Sequence, residues 1–262
     1  MSQARMIQQM IMGMIIDFGL KPEDVAAALG TAHAADIQRA ARHQPGLRRK
    51  PEPTPDAQCK SLRLKVQMKG VVKPPMWREV VVPADFNFKQ LHFVIQTITG
   101  LDDVHMWMFQ PRAYDSDFEI GPPAADLPSR VVKYSAANTG LTAFLAQKGD
   151  KLEYIYDFGD DWIFTGTVLE ALDSLHVACT ECTKYSSDLQ AIDDCGGIPV
   201  YRELRDTFAH LDTLTQEQKN EIAEHFWCDT LEEFISDNTF DRSKVNSRLA
   251  DIFSQPRRNL ND

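Results

Sequence analysis

From residue 61 to residue 169 short runs of the chain alternate apolar and polar side chains, and that two-residue period constrains the fold more than any other feature. Leu62, Leu64, Val66 and Met68 alternate with Arg63, Lys65, Gln67 and Lys69, which gives an extended segment one dry face and one wet face, the mark of a half-buried strand. Gly70–Pro75 supplies a turn, and Met76–Val82 a returning strand closed by Pro83. Lys151–Phe158 and Ile163–Leu169 repeat the arrangement around Gly159-Asp160-Asp161, the clearest hairpin in the chain. A third strand is predicted at His105–Gln110, and Pro111–Ser129, rich in Pro, Asp and Gly, reads as a surface loop that adds little to the core.

The period changes to that of a helix elsewhere. Phe88–Thr99 places Leu91, Val94, Ile95 and Ile98 on one face and ends at Gly100. Further helices are predicted at Tyr201–Ala209, Gln216–Phe226, Thr230–Ile235 and Ser243–Phe253. Strands first and helices last, joined by hairpins, give an α+β fold: a mainly antiparallel sheet with packed helices.

A small helical module precedes it. Residues 3–18 carry Met6, Met10, Met14 and Ile7, Ile11, Ile15 at helical spacing, Lys21-Pro22-Glu23-Asp24 opens a second helix, and a third runs from Thr31 to Arg42. Four prolines in residues 44–56 break this pattern as an extended linker does. The domain reading is therefore 1–45 helical module, 46–60 linker, 61–253 α+β domain and 254–262 tail. The apolar stretch Met6–Ile16 is too short to span a bilayer and has no cleavage signal, so the expectation is a cytoplasmic chain without a membrane partner.

The chain carries 28 basic and 38 acidic side chains, a formal charge of −10, which excludes a generic phosphate-coating protein. Residues 1–60 hold 8 basic and 6 acidic groups, so attraction for nucleic acid is confined to the N-terminus. Arg39, Arg42, Arg48, Arg49 and Lys50 form the one local positive run, and no acidic residue lies between Ile37 and Pro51. Following a helix-turn-helix-like segment, this run is the candidate nucleic-acid contact. The N-terminal helices are the candidate contact for a DNA or protein partner, and the Met/Ile helix is a candidate for homo-oligomerisation.

Five cysteines, an odd number without a secretory signal, fit reduced thiols better than disulfides. His176, Cys179, Cys182 and Cys195 offer the donor number and softness of a structural Zn²⁺ site, with His225 and Cys228 as rivals for the fourth position. A polar loop with reduced thiols is the preferred account of that segment, so no cofactor is expected beyond this candidate zinc. Asp157, Asp160 and Asp161, with His105 or His92, could gather Mg²⁺ or Mn²⁺ for phosphodiester hydrolysis. Gly and Asp are also ordinary hairpin-turn residues, and the turn is the preferred reading. Trp77-Arg78 with His105 and Trp107 could form a recognition surface, although strand alternation suits the tryptophans to a core. No complete catalytic constellation is present, and the sequence reads as a binding protein rather than an enzyme.

Several of these segments resemble one family in order. Met68-Lys69-Gly70 with Lys73-Pro74-Pro75-Met76-Trp77-Arg78, then Gly100-Leu101-Asp102-Asp103-Val104-His105, Tyr154–Trp162, Asp193-Asp194-Cys195-Gly196-Gly197 and Val245-Asn246-Ser247-Arg248-Leu249 are similar to the plasmid pRiA4b ORF-3-like family over about residues 61–253. The resemblance implies an α+β fold and a mobile-element context, and no established activity. The chain departs from the family at Gln190 and Ala191-Ile192, where members often carry a further Cys and a Pro-Pro pair.

Overall fold

The computed structural model describes residues 61–122, 131–173, 180–226 and 228–254. The helical module, the linker, the basic run Arg39, Arg42, Arg48, Arg49 and Lys50, the residues His176 and Cys179, and most of the tail lie outside these. Among the described residues eight strands form one sheet: β1 (Ser61–Met68), β2 (Trp77–Pro83), β3 (Trp107–Gln110), β4 (Phe118–Gly121), β5 (Val132–Ser135), β6 (Lys151–Tyr156), β7 (Trp162–Leu172) and β8 (Glu181–Ser186). Their order is β5-β4-β3-β6-β7-β1-β2-β8, antiparallel throughout except for the parallel β4–β5 pair. Among the described residues five α-helices follow the alternation of the chain: α1 (Phe88–Thr99), α2 (Gly197–Phe208), α3 (Gln216–His225), α4 (Leu231–Asn238) and α5 (Arg242–Ser254). The fold is α+β, as the strand and helix periods predict. No helix among the described residues is long and apolar enough to cross a membrane.

The predicted dry face of β1 is the core face: Leu62, Leu64, Val66 and Met68 are all buried. Across the register they meet β2 and β7, with Leu64 opposite Val80 and Val168 and Met68 opposite Phe164. Helix α1 lies in this core through Phe88, Leu91, Val94, Ile95 and Ile98. A reciprocal capping box starts it, in which the Asn87 side chain accepts from the Gln90 N–H and the Gln90 side chain accepts from the Asn87 N–H. Gly100 ends it at φ 88°, and a Cβ there would lie 2.7 Å from Gln190, so both backbone and space require glycine.

Three expectations are corrected. The stretch read as a surface loop contains β4, whose Phe118 and Ile120 are buried; four residues are too short a run for alternation to stand out among Pro and Asp. The cysteine segment contains β8, held at the sheet edge by Asn246, whose side-chain oxygen accepts from the Cys182 N–H at 2.8 Å while its amide donates to the Cys182 carbonyl. Arg78, a candidate for a recognition surface, occupies a core slot of β2 with no exposure. Its guanidinium donates to the carbonyls of Ile98 and Ser186 and lies 3.9 Å from the Phe240 ring. Desolvation pushes its pKa down to about 10, still far enough above neutral pH that it stays a cation.

Candidate functional site

Three Asp-Asp pairs occur in the chain, Asp102-Asp103, Asp160-Asp161 and Asp193-Asp194, and the fold brings all three to one rim of the sheet. The first lies between α1 and β3, the second closes the β6–β7 hairpin, and the third precedes α2. Interlocking contacts hold the loops together. Asp160 Oδ2 accepts from the Gly196 N–H at 3.0 Å, and Asp193 Oδ2 accepts from the Asp102 N–H at 2.7 Å and from the Tyr156 hydroxyl at 3.1 Å. A Cβ on Gly197 would lie 2.4 Å from the Asp160 carbonyl oxygen, and Gly197 has φ 73°, so glycine lets the third loop press against the hairpin turn.

At the centre of the rim stands His105. Its Nε2 lies 3.1 Å from Asp194 Oδ1 and 3.8 Å from Asp157 Oδ2. This nitrogen is shut off from solvent and makes no hydrogen bond among the described residues. Asp157 Oδ1 is fixed by the Gly159 N–H at 2.9 Å, which leaves Oδ2 turned toward the imidazole. The three donor atoms lie within 4.8 Å of one another, one imidazole and two carboxylates, a set that suits Mn²⁺ or Zn²⁺ better than Mg²⁺. Asp157, Asp161 and Asp194 all have φ between 53° and 57°, a left-handed conformation that Asp tolerates better than most residues.

A closed ring of hydrogen bonds behind the cluster ties the first loop to α1 and β6. Gln96 Nε2 donates to the Tyr154 hydroxyl at 2.8 Å, the hydroxyl donates to His92 Nδ1 at 2.7 Å, and His92 Nε2 donates to Asp103 Oδ1 at 2.7 Å. The Asp103 N–H then donates to Gln96 Oε1 at 2.9 Å and closes the ring. Each group finds a partner when His92 is neutral with its proton on Nε2. Burial lowers the His92 pKa, partly offset by Asp103, and burial raises that of Asp193, against the pull of the Asp102 N–H and the Tyr156 hydroxyl.

Of the five residues named for hydrolysis, the fold therefore unites His105 and Asp157 and diverts Asp160, Asp161 and His92. Asp160 secures Gly196, and Asp161 accepts from the Tyr114 hydroxyl. His92 sits in the closed ring rather than beside the carboxylate oxygens. Asp194, absent from the sequence-based site, joins instead; the signal that could have found it was the repeated Asp-Asp pair at each glycine- or turn-bearing loop. Cys182 and Cys195 are buried on separate elements, and desolvation raises both thiols to about 11, as expected of inert structural cysteines. Trp107 is buried against His92, while Trp77 stands half-buried on the outer sheet face under Lys65. That outer face has a groove of about 340 Å³ lined by Lys65, Gln67, Lys69, Val72, Thr165 and Thr167, among others, with no contribution from the three loops.

The family model described as plasmid pRiA4b ORF-3-like protein matches residues 60–247. The uncharacterised protein y4hQ of Sinorhizobium fredii is 35% identical over 107 residues, covering 38% of this chain and 49% of that protein. The chain thus spans about half the length of this curated relative. In three dimensions it is similar to MM3350, a protein of unknown function from Methanosarcina mazei Go1, with a TM-score of 0.54 and 26% identity over 71% of this chain and 97% of that one.

Proposed function

We propose that this chain, which belongs to the plasmid pRiA4b ORF-3-like family, is a non-catalytic binding or accessory factor whose working surface is the loop rim and whose rim holds one divalent cation. The supporting observation is the meeting of His105 Nε2, Asp157 Oδ2 and Asp194 Oδ1 within 4.8 Å, each delivered by a different loop. One imidazole and two monodentate carboxylates leave coordination positions open, so a partner's oxygen could complete the shell. The cation orders three loops that otherwise crowd seven carboxylates and no Lys or Arg into residues 101–105, 157–161 and 193–197. A phosphodiesterase would need more of this surface free for chemistry. Asp160 and Asp161 are engaged in holding loops together, which favours presentation over hydrolysis.

The role in a plasmid or mobile-element setting, and nucleic-acid contact through the N-terminal basic run, extend the same reading. Calorimetric titration with MnCl₂ and ZnCl₂ tests the cation. One site per chain is expected, lost in His105→Ala and in Asp194→Asn. No heat and no thermal shift with either metal would remove the proposal, and turnover of a phosphodiester by the Mn²⁺-loaded protein would replace it with the hydrolytic one.

A further inference from the structure

The rim that carries the cation ligands also exposes large apolar side chains. Val104 and Met106, on either side of His105, are 66% and 60% exposed, and Phe158, next to Asp157, is 45% exposed. The Asp157 N–H donates to the Met106 carbonyl at 3.0 Å, so the two strands of this lip are joined by backbone. Exposed apolar groups ringed by polar ones mark interaction surfaces. Here the polar ring is of one sign: seven aspartates in the three loops without a single Lys or Arg. Even one bound divalent cation leaves the rim strongly negative, so its partner must be cationic and must offer an apolar anchor.

The chain contains such a segment. Residues 37–50 read Ile-Gln-Arg-Ala-Ala-Arg-His-Gln-Pro-Gly-Leu-Arg-Arg-Lys, with five Lys or Arg, no acidic residue, and Ile37 and Leu47 as apolar groups. The geometry permits it to reach. Ser61 begins β1 at the end of the strand far from the rim, since Ser61 pairs with Leu172 and Met68 with Phe164 near the hairpin turn. Eight strand residues cover about 26 Å, and the eleven residues from Lys50 to Ser61 can extend over about 38 Å. A tether of that length holds the segment at about millimolar effective concentration.

We propose that residues 37–50 dock on the rim of their own chain, their basic side chains against Asp102, Asp160 and Asp194 and an apolar side chain against Val104, Met106 and Phe158. The proposal rests on the reading of the rim as the working surface and gives it a built-in occupant that a cation or an outside partner must displace.

Zero-length carbodiimide coupling of the full chain in EDTA, followed by peptide mass mapping, tests it. The expected result is an amide between Lys50 and a rim aspartate in the monomer fraction. Its yield should be independent of protein concentration and fall by about threefold or more in the Met106→Ser/Phe158→Ser double variant and in Arg48→Glu/Arg49→Glu. Links from Lys50 only to acidic residues outside the rim, no link at all, a yield rising with concentration, or a yield untouched by both variants would overturn it. Because no divalent cation is present, a chain that fails to bind Mn²⁺ can still form the link, and a chain that binds Mn²⁺ can fail to form it.

Discussion

The imidazole of His92 lies flat on the indole of Trp107, with ring centroids 3.9 Å apart and planes 8° from parallel. Stacking fixes the plane of a ring whose two nitrogens are both engaged, Nδ1 by the Tyr154 hydroxyl and Nε2 by Asp103. Helix α1 is thereby tied to the loop that carries His105. His92→Phe keeps a flat ring on Trp107 but strands the buried Tyr154 proton and frees Asp103. We expect a loss of about 1–3 kcal/mol in chemical denaturation and weaker Mn²⁺ binding. Asp103→Asn keeps an acceptor at Oδ1 and should cost less than about 1 kcal/mol.

Stability should depend on pH through the same imidazole. Burial lowers the His92 pKa below its ordinary 6.5, so the unfolded chain takes up a proton at a higher pH than the folded one. The contribution of this group is complete above pH 6.5 and is lost as pH falls from there toward the folded-state pKa. The slope is at most about 1.4 kcal/mol per pH unit. Asp193 works in the opposite sense: its raised pKa lets the folded chain hold a proton that the unfolded chain releases, so that group adds stability as pH falls through its folded pKa. Denaturation from pH 7 downward, compared between the wild type and His92→Phe, isolates the His92 contribution; equal slopes in the two proteins would contradict it.

Arg78 is a buried cation whose neighbours are carbonyls and rings. Replacing it by Lys removes the planar fork that serves Ile98 and Ser186 together and the guanidinium face over Phe240. We expect a loss of about 2–4 kcal/mol for Arg78→Lys and about 0.5–2 kcal/mol for Phe240→Leu, read by urea denaturation. The two losses should fall short of additivity in the double variant, since both remove the same contact.

Gly197 tests the interlocking of the loops. A methyl group there would meet the Asp160 carbonyl at 2.4 Å, at a φ of 73°. Gly197→Ala should therefore push the third loop off the hairpin turn, cost about 1–3 kcal/mol, and weaken cation binding by displacing Asp194. Gly149→Ala, at φ 96° but with open space around it, carries the backbone strain alone and should leave cation binding unchanged in the same titration.

Much of this fold is legible in the sequence because its signals are long and periodic. β1 shows its dry face in eight residues, the β6–β7 hairpin shows alternation on both sides of a Gly-Asp-Asp turn, and α1 carries a 3.6-residue stripe between Asn87 and Gly100. β4, β5 and β8 escape because they are short edge or near-edge strands stabilised by tertiary contacts, such as the Asn246 clamp on Cys182, rather than by local pattern. Arg78 escapes for the opposite reason: alternation assigns it to the core face, but charge argues against burial, and only the structure supplies the carbonyls that permit it. The site is half legible. Composition selects His105 and Asp157, whereas Asp194 becomes a candidate only when three separate loops meet.

Crystals grown with MnCl₂ and measured near the manganese absorption edge locate the cation itself. One anomalous peak per chain is expected, between His105 Nε2, Asp157 Oδ2 and Asp194 Oδ1, and it should disappear in Asp194→Asn. A rim without a peak at saturating Mn²⁺, or a peak held by other side chains, would contradict the cation site.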